Sequence, residues 1–328
     1  MTTITAKDIS QLRKATGAGM MDCKEALNES GGDYEGALDF LRKKGQKVAA
    51  KRADRDANEG VVVTRVSDSG KEAVVLALSS ETDFVAKNEE FIALANDLAT
   101  LALENKPATK EDLLTLPFAG STVSEKLTER TGTIGEKIEV SAYHHVQGDN
   151  ISSYVHAGSK IGVLVVYEDG GKADASTFFR NIAMHVAAMN PSILDPSEFD
   201  ADFVARETEV IQAQIKSENE LNEAENLGKP IKTIPRFVSS LQLTPEVLAE
   251  VEAEIKAELK AEGKPEKIWE KIIPGKLERF VADNTLLDQE RCLLSQFFVL
   301  DDSKTVGASI TQFSPEAKVV KFIRVAIG

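Results

Sequence analysis

Two runs of β-branched and apolar residues, Gly60–Val66 and Glu72–Leu78, flank Asp68-Ser69-Gly70, a pattern that predicts an antiparallel hairpin early in the chain. Strands this apolar need a second layer to cover them. The following segment supplies one, because Phe91, Leu94, Leu98 and Leu101 recur on one side of a helix expected from about Asn88 to Leu103. Shorter helical stretches occupy 110–116 and 122–131, and strand-like segments return at 136–146, 151–157 and 161–168. Gly148-Asp149-Asn150 reads as the turn between the first two of these, Asp174–Met189 as a helix and Val319–Ile327 as a last strand. Hairpins beside helices, without regular βα alternation, place the chain in the α+β class and not among doubly wound folds.

The flanks differ from this core. Residues 5–45 read as three short helices, with a capping box at Thr5 and Asp8 and a stop at Thr16-Gly17-Ala18-Gly19. A second stop follows at Ser30-Gly31-Gly32, Asp33 caps the third helix, and Gly45 is expected to end it. Lys47–Glu59 then reads as a charged tether. A three-helix unit of this size is too small for a substrate cavity and suits an interaction module. Between 198 and 283 the charge rises and Leu248, Val251, Ile255, Leu259, Ile268, Ile272 and Phe280 recur at helical steps around Gly263-Lys264-Pro265, predicting an antiparallel helical hairpin. A fainter echo surrounds Gly228-Lys229-Pro230, either a quasi-repeat or one lengthened projection.

The net charge of −14 argues against general binding to nucleic acid or anionic membranes. It is uneven: residues 1–55 hold eleven Lys/Arg against eight Asp/Glu, a balance of +3 that leaves −17 elsewhere. Those cations, chiefly Arg42, Lys43, Lys44, Lys47, Lys51, Arg52 and Arg55, read as a solvated helix end and tether. An adaptor with an RNA- or ribosome-contacting role is the rival reading. No apolar run is long enough to span a bilayer, and the start resembles no signal peptide. Cys23 and Cys292 make no metal or redox spacing, so a reduced, cytoplasmic setting is expected.

Catalytic chemistry is not visible. No GxxxxGK[ST] occurs, and Thr16-Gly17-Ala18-Gly19 joins two helices instead of following a strand. His144 and His145 are strand neighbours facing opposite ways, His156 precedes a turn, and no nucleophile–base–orienter set emerges. One segment does ask for explanation. Thr82-Asp83-Phe84-Val85 sets an aromatic beside a carboxylate on a connection between strand and helix. Read locally, Phe84 is expected to fold back as a staple on the helix opening near Asn88; a partner docking on it is the alternative.

Several motifs, in order, resemble the translation elongation factor Ts family: Ile4-Thr5-Ala6, Leu12-Arg13, Thr16–Leu27, Thr82–Asn88, His156–Leu164, Ile182–Ala188, Lys264-Pro265, Lys276 to Phe280, Ser303–Val306 and Phe322–Val325. The resemblance covers nearly the whole chain apart from roughly 217–243. It implies a ubiquitin-associated-like (UBA-like) helical domain with its tether at 1–55, then two related α+β subdomains at 56–148 and 149–328, the second carrying a coiled-coil arm at 198–283. It implies guanine-nucleotide exchange on elongation factor Tu, in its GDP-bound and nucleotide-free states, with no covalent chemistry, cofactor or metal of its own. Thr82, Asp83, Phe84 and Val85 would displace the partner's magnesium, with Phe84 as a wedge. Arg13, Met20, Met21 and His156 would be further partner contacts. A homodimer or a heterotetramer with the partner is compatible with this reading; membrane and direct nucleic-acid contacts are not expected. Two departures stand out: an arm longer than the common pattern, and a last residue, Gly328, where some members continue into a partner-contacting helix.

Overall fold

The structure is a computed structural model that describes residues 4–225 and 228–328; Met1–Thr3 and residues 226–227 lie outside it. It opens with helices α1 (Ala6–Thr16), α2 (Met20–Glu29) and α3 (Tyr34–Arg52). Thr5 and Asp8 form the expected capping box, left-handed Gly17 ends α1, and the Asp33 side chain caps α3. Leu12, Cys23, Ala26, Leu27 and Ala37 make a small core. Gly45 does not end the third helix, which runs on through the first part of the expected tether to Arg52. The glycine serves close approach instead: α3 packs against α7 (Val123–Ile134), with Gly45 facing Gly132 so closely that no side chain fits at residue 132.

Strands β1 (Glu59–Val66) and β2 (Glu72–Ser80) form the expected hairpin. One helical turn, α4 (Asp83–Ala86), leads into α5 (Glu89–Asn105), where the Asn88 side chain accepts from the Glu90 amide. Then come α6 (Lys110–Thr115), a small hairpin of β3 (Pro117–Phe118) and β4 (Ser121–Thr122), α7 (Val123–Ile134) and β5 (Glu139–Gln147). β5 pairs antiparallel with β2, giving the order β1-β2-β5. Phe91, Leu94, Leu98 and Leu113 cover one face of this sheet.

Residues 148–150 do not close a hairpin. They carry the chain out of the first sheet into the second, where β6 (Asn150–Val155) pairs with β7 (Ile161–Glu168). Helix α8 (Ala175–Met189) follows. Further on are α9 (Ala201–Ala224), α10 (Pro245–Ala261), α11 (Trp269–Asp283), α12 (Leu286–Arg291), a hairpin of β8 (Phe297–Phe298) and β9 (Asp301–Thr305), α13 (Val306–Phe313) and β10 (Lys318–Ala326). The second sheet has the order β10-β7-β6, so both sheets share one plan: a hairpin whose second strand takes the last strand beside it. This is the α+β arrangement of two related halves. Val62, Val75, Val146, Leu164, Val166 and Val325 form a core shared by the two sheets. Two compact units result, one of residues up to Ala187 together with Val319–Gly328, the other Ala188–Lys318.

Within the second unit, α10 and α11 form the helical hairpin that the periodicity predicts, with Val251, Ile255, Leu259 and Ile273 at its centre. The first Gly-Lys-Pro turn is not a repeat of the second. After α9 the chain returns without a helix; Pro230 and Pro235 offer no amide donor there, and their predecessors favour extended backbone. Amides on one face of α9 hold it instead: Asn219 exchanges two hydrogen bonds with the Lys232 backbone, 2.8 and 2.9 Å, and Gln212 donates to the Pro235 carbonyl at 2.8 Å. Asn222 does the same with Lys229, accepting from its amide at 3.1 Å and donating to its carbonyl. Asn222→Leu removes both bonds at similar size, and the Lys229 amide is expected to exchange hydrogen about tenfold faster. Unchanged protection would show that something else holds the returning limb.

Candidate functional site

The Thr82–Val85 segment is built from the inside outwards. In a single helical turn successive side chains step by roughly 100°. Val85 packs on the core of the first sheet and Ala86 is buried, which turns Phe84 away from that core. Phe84 is 82% exposed, so the staple expected from local sequence is not formed. Burying a Phe contributes about 1.5–3 kcal/mol, a gain the isolated fold forgoes. Asp83 points outward as well, its Oδ2 accepting from Lys87 Nζ at 2.6 Å. That bond holds the Asp83 carboxyl below its ordinary pKa, with Lys160 a weaker contributor, and raises the Lys87 ammonium. Both side chains are largely exposed, and a pair of this kind stabilises little.

Contacts that sequence reading did not anticipate anchor the turn. Glu136, on the connection between α7 and β5, accepts from the Thr82 hydroxyl at 2.8 Å and the Thr82 amide at 3.0 Å. Glu81 accepts from the Lys137 amide at 2.7 Å, and Arg52 Nη1 lies 2.8 Å from both of its oxygens. The Lys137 amide first, then Arg52, lower the Glu81 pKa. No local motif marks Arg52, Glu81 or Glu136; they meet across separations of 29 to 56 residues.

His156 opens a tight turn, exposed, with Nδ1 3.1 Å from the Tyr154 hydroxyl. Lys160, just past that turn, ion-pairs with Glu59 at the start of β1. The 157–159 turn and α4 both contact β1, so the structure brings His156 and the Thr82–Val85 turn to one neighbourhood. Arg13, exposed in the last turn of α1, lines a cleft with Lys14, Asn88, Glu90 and Arg130, and so reaches the helix that follows the turn. Met20 and Met21 are 60% and 73% exposed on the first turn of α2, while Cys23, Ala26 and Leu27 of that helix face inward. They lie on the surface of the helical module itself. Several of the module's cations are engaged: Lys44 with Asp22 and Glu25, Lys43 with Asp39, and Arg52 with Glu81.

Among the described residues, no group of three or more His, Cys, Asp or Glu side chains is placed to hold a metal ion. Cys23 and Cys292 are buried, and burial raises both thiols, Cys292 to about 12. No helix among the described residues is long and apolar enough to cross a membrane.

The sequence profile of a family described as Elongation factor TS matches residues 81–234 and 231–328, beginning where the anchored turn begins. The chain belongs to the elongation factor Ts family. Members of the elongation factor Ts family are translation elongation factors of protein biosynthesis. An elongation factor Ts of Rhodopirellula baltica is 64% identical over 328 residues, covering both chains completely. One of Flavobacterium johnsoniae is 47% identical over 328 residues, again with complete coverage of both. One of Helicobacter pylori is 44% identical over 338 residues, covering all of this chain and 95% of the relative. Both the Rhodopirellula and the Flavobacterium alignments cover all of this chain, 217–243 included.

Proposed function

We propose that the chain is a cytoplasmic guanine-nucleotide exchange factor for elongation factor Tu, with no covalent chemistry of its own. The observation that carries this reading is the Thr82–Val85 turn: an aromatic held in water on an anchored helical turn, beside an outward carboxylate. Phe84 acts as a wedge between partner side chains, and Asp83 disturbs the surroundings of the partner's magnesium. Arg13, Met20, Met21 and His156 are the supporting contacts, and the helical arm reaches another part of the partner. In domain terms, 1–55 grips, 56–148 carries the wedge, and 149–328 carries His156 and the arm at 198–283.

Exchange of this kind is differential binding. A factor that binds nucleotide-free partner more tightly than GDP-bound partner loosens GDP, and linkage makes GDP loosen the factor equally. Equal affinity for both states would shift nothing. Removing a cation that neutralises phosphate charge is a direct route to that difference. The test is release of labelled GDP from elongation factor Tu. Adding the chain is expected to accelerate release, and release at the intrinsic rate would overturn the proposal.

A further inference from the structure

A helical turn of four residues has little stability alone. Thr82 occupies the N-cap of α4 with extended backbone, yet its side chain does not cap the helix. Its hydroxyl and amide are both committed to Glu136, at 2.8 and 3.0 Å. One residue earlier the direction reverses, and the Lys137 amide donates to Glu81 at 2.7 Å. Residues 81–82 and 136–137 are thus joined by two carboxylates, each satisfying groups on the opposite segment. Glu81 has a further partner in Arg52, whose Nη1 is 2.8 Å from each carboxylate oxygen. The Glu81 side chain is only 16% exposed, so this pair is more sheltered than an ordinary surface ion pair. Arg52 is the last residue of α3, and the same helix packs against α7, which leads to Glu136.

We propose that Arg52, Glu81 and Glu136 are positioning residues that hold the Thr82–Val85 turn in one orientation on the helical module, so that Phe84 meets its partner on a preformed surface. The inference rests on the exchange reading. An aromatic on a loose loop would lose conformational freedom on docking, and that loss would weaken the strained state the wedge must stabilise. The clamp settles that ordering during folding. It also ties the wedge to α3, so grip and wedge arrive together. Within the turn, the groups at stake are the Ala86 amide on the Thr82 carbonyl and the Lys87 amide on the Asp83 carbonyl.

Two measurements test this. In GDP release at saturating factor, Glu136→Ala is expected to lower the maximal rate about tenfold. Glu136→Gln, whose oxygen can still accept from the Thr82 amide while its NH2 donates to the Thr82 hydroxyl, should recover most of it. In a Phe84→Ala background, Glu136→Ala should cost nothing further, because a mispositioned wedge and an absent wedge are equivalent. A full rate in Glu136→Ala, or an equal loss in both backgrounds, overturns the positioning role. If Glu136→Ala fails to fold, Thr82→Val removes one of the two donors and takes its place. The second measurement is hydrogen exchange at the Ala86 and Lys87 amides of the free chain, which needs no partner. About tenfold faster exchange is expected in Glu136→Ala, as in Arg52→Ala, and unchanged protection overturns the proposal. Failure of the exchange reading would look different: the parent chain itself would leave GDP release unaltered while the amide result stood.

Discussion

Replacing Phe84 with alanine is expected to slow factor-stimulated GDP release about a hundredfold, the size of a 2–3 kcal/mol hot-spot truncation. The same change should leave folding stability within about 0.5 kcal/mol of the parent, since the ring is 82% exposed and supports nothing beneath it. Those two results together separate a wedge from a core residue. A staple would behave oppositely, because truncating a packed aromatic costs about 3–5 kcal/mol of stability. Phe84→Leu should fall between parent and alanine in rate, retaining apolar volume without the flat ring. Rates from stopped-flow release and midpoints from thermal unfolding decide it. Parent-like rates in Phe84→Ala would remove the ring from the mechanism, even if the chain proved to be an exchange factor.

Gly132→Ala should destabilise the chain by about 1–3 kcal/mol, although alanine is the better helix former. A Cβ at residue 132 would lie 2.4 Å from the Gly45 Cα, and backbone on both sides leaves nothing flexible to yield. Gly45→Ala is the control. Its Cβ would meet the Thr128 carbonyl at 3.6 Å and the Gly132 Cα at 3.7 Å, ordinary contact distances. In that position the propensity gain of up to about 1 kcal/mol should dominate, so the two substitutions have opposite signs. Denaturant midpoints of the two variants check this, and a Gly132→Ala chain as stable as the parent would refute the close α3–α7 contact. Because Arg52 rides on α3, Gly132→Ala should also slow nucleotide release, through the positioning of the turn.

Much of this molecule was legible from short stretches. The Thr5–Asp8 capping box, the Asp33 and Asn88 caps and the left-handed Gly17 all lie within a few residues of the groups they satisfy. The β1–β2 hairpin and the α10–α11 pair announce themselves by periodicity, because buried faces repeat every two or about 3.6 residues. The motif at Thr82–Val85 was equally visible. What failed had a common cause. Gly45 could mean a helix end or a close approach, and only the presence of Gly132 opposite decided between them. The turn at 148–150 could join paired strands or separate sheets, and pairing is a property of partners far along the chain. The two Gly-Lys-Pro turns are alike as text, yet after the first one the chain returns without a helix, held by amides from α9.

The same division runs through the site. Sequence alone supplied the candidates: Asp83 and Phe84 stand together on one connection, and the family resemblance adds Arg13, Met20 and Met21. Tertiary structure decided what Phe84 does in the free chain. Val85 and Ala86 take the inward positions, Glu136 takes the Thr82 hydroxyl from its N-cap role on α4, and the ring is left in water. Thr82 and Glu136 stand 54 residues apart, and no propensity, period or spacing encodes a contact at that range. Such contacts exist only once the sheet and helices are packed, because packing alone brings their donors and acceptors within hydrogen-bonding distance.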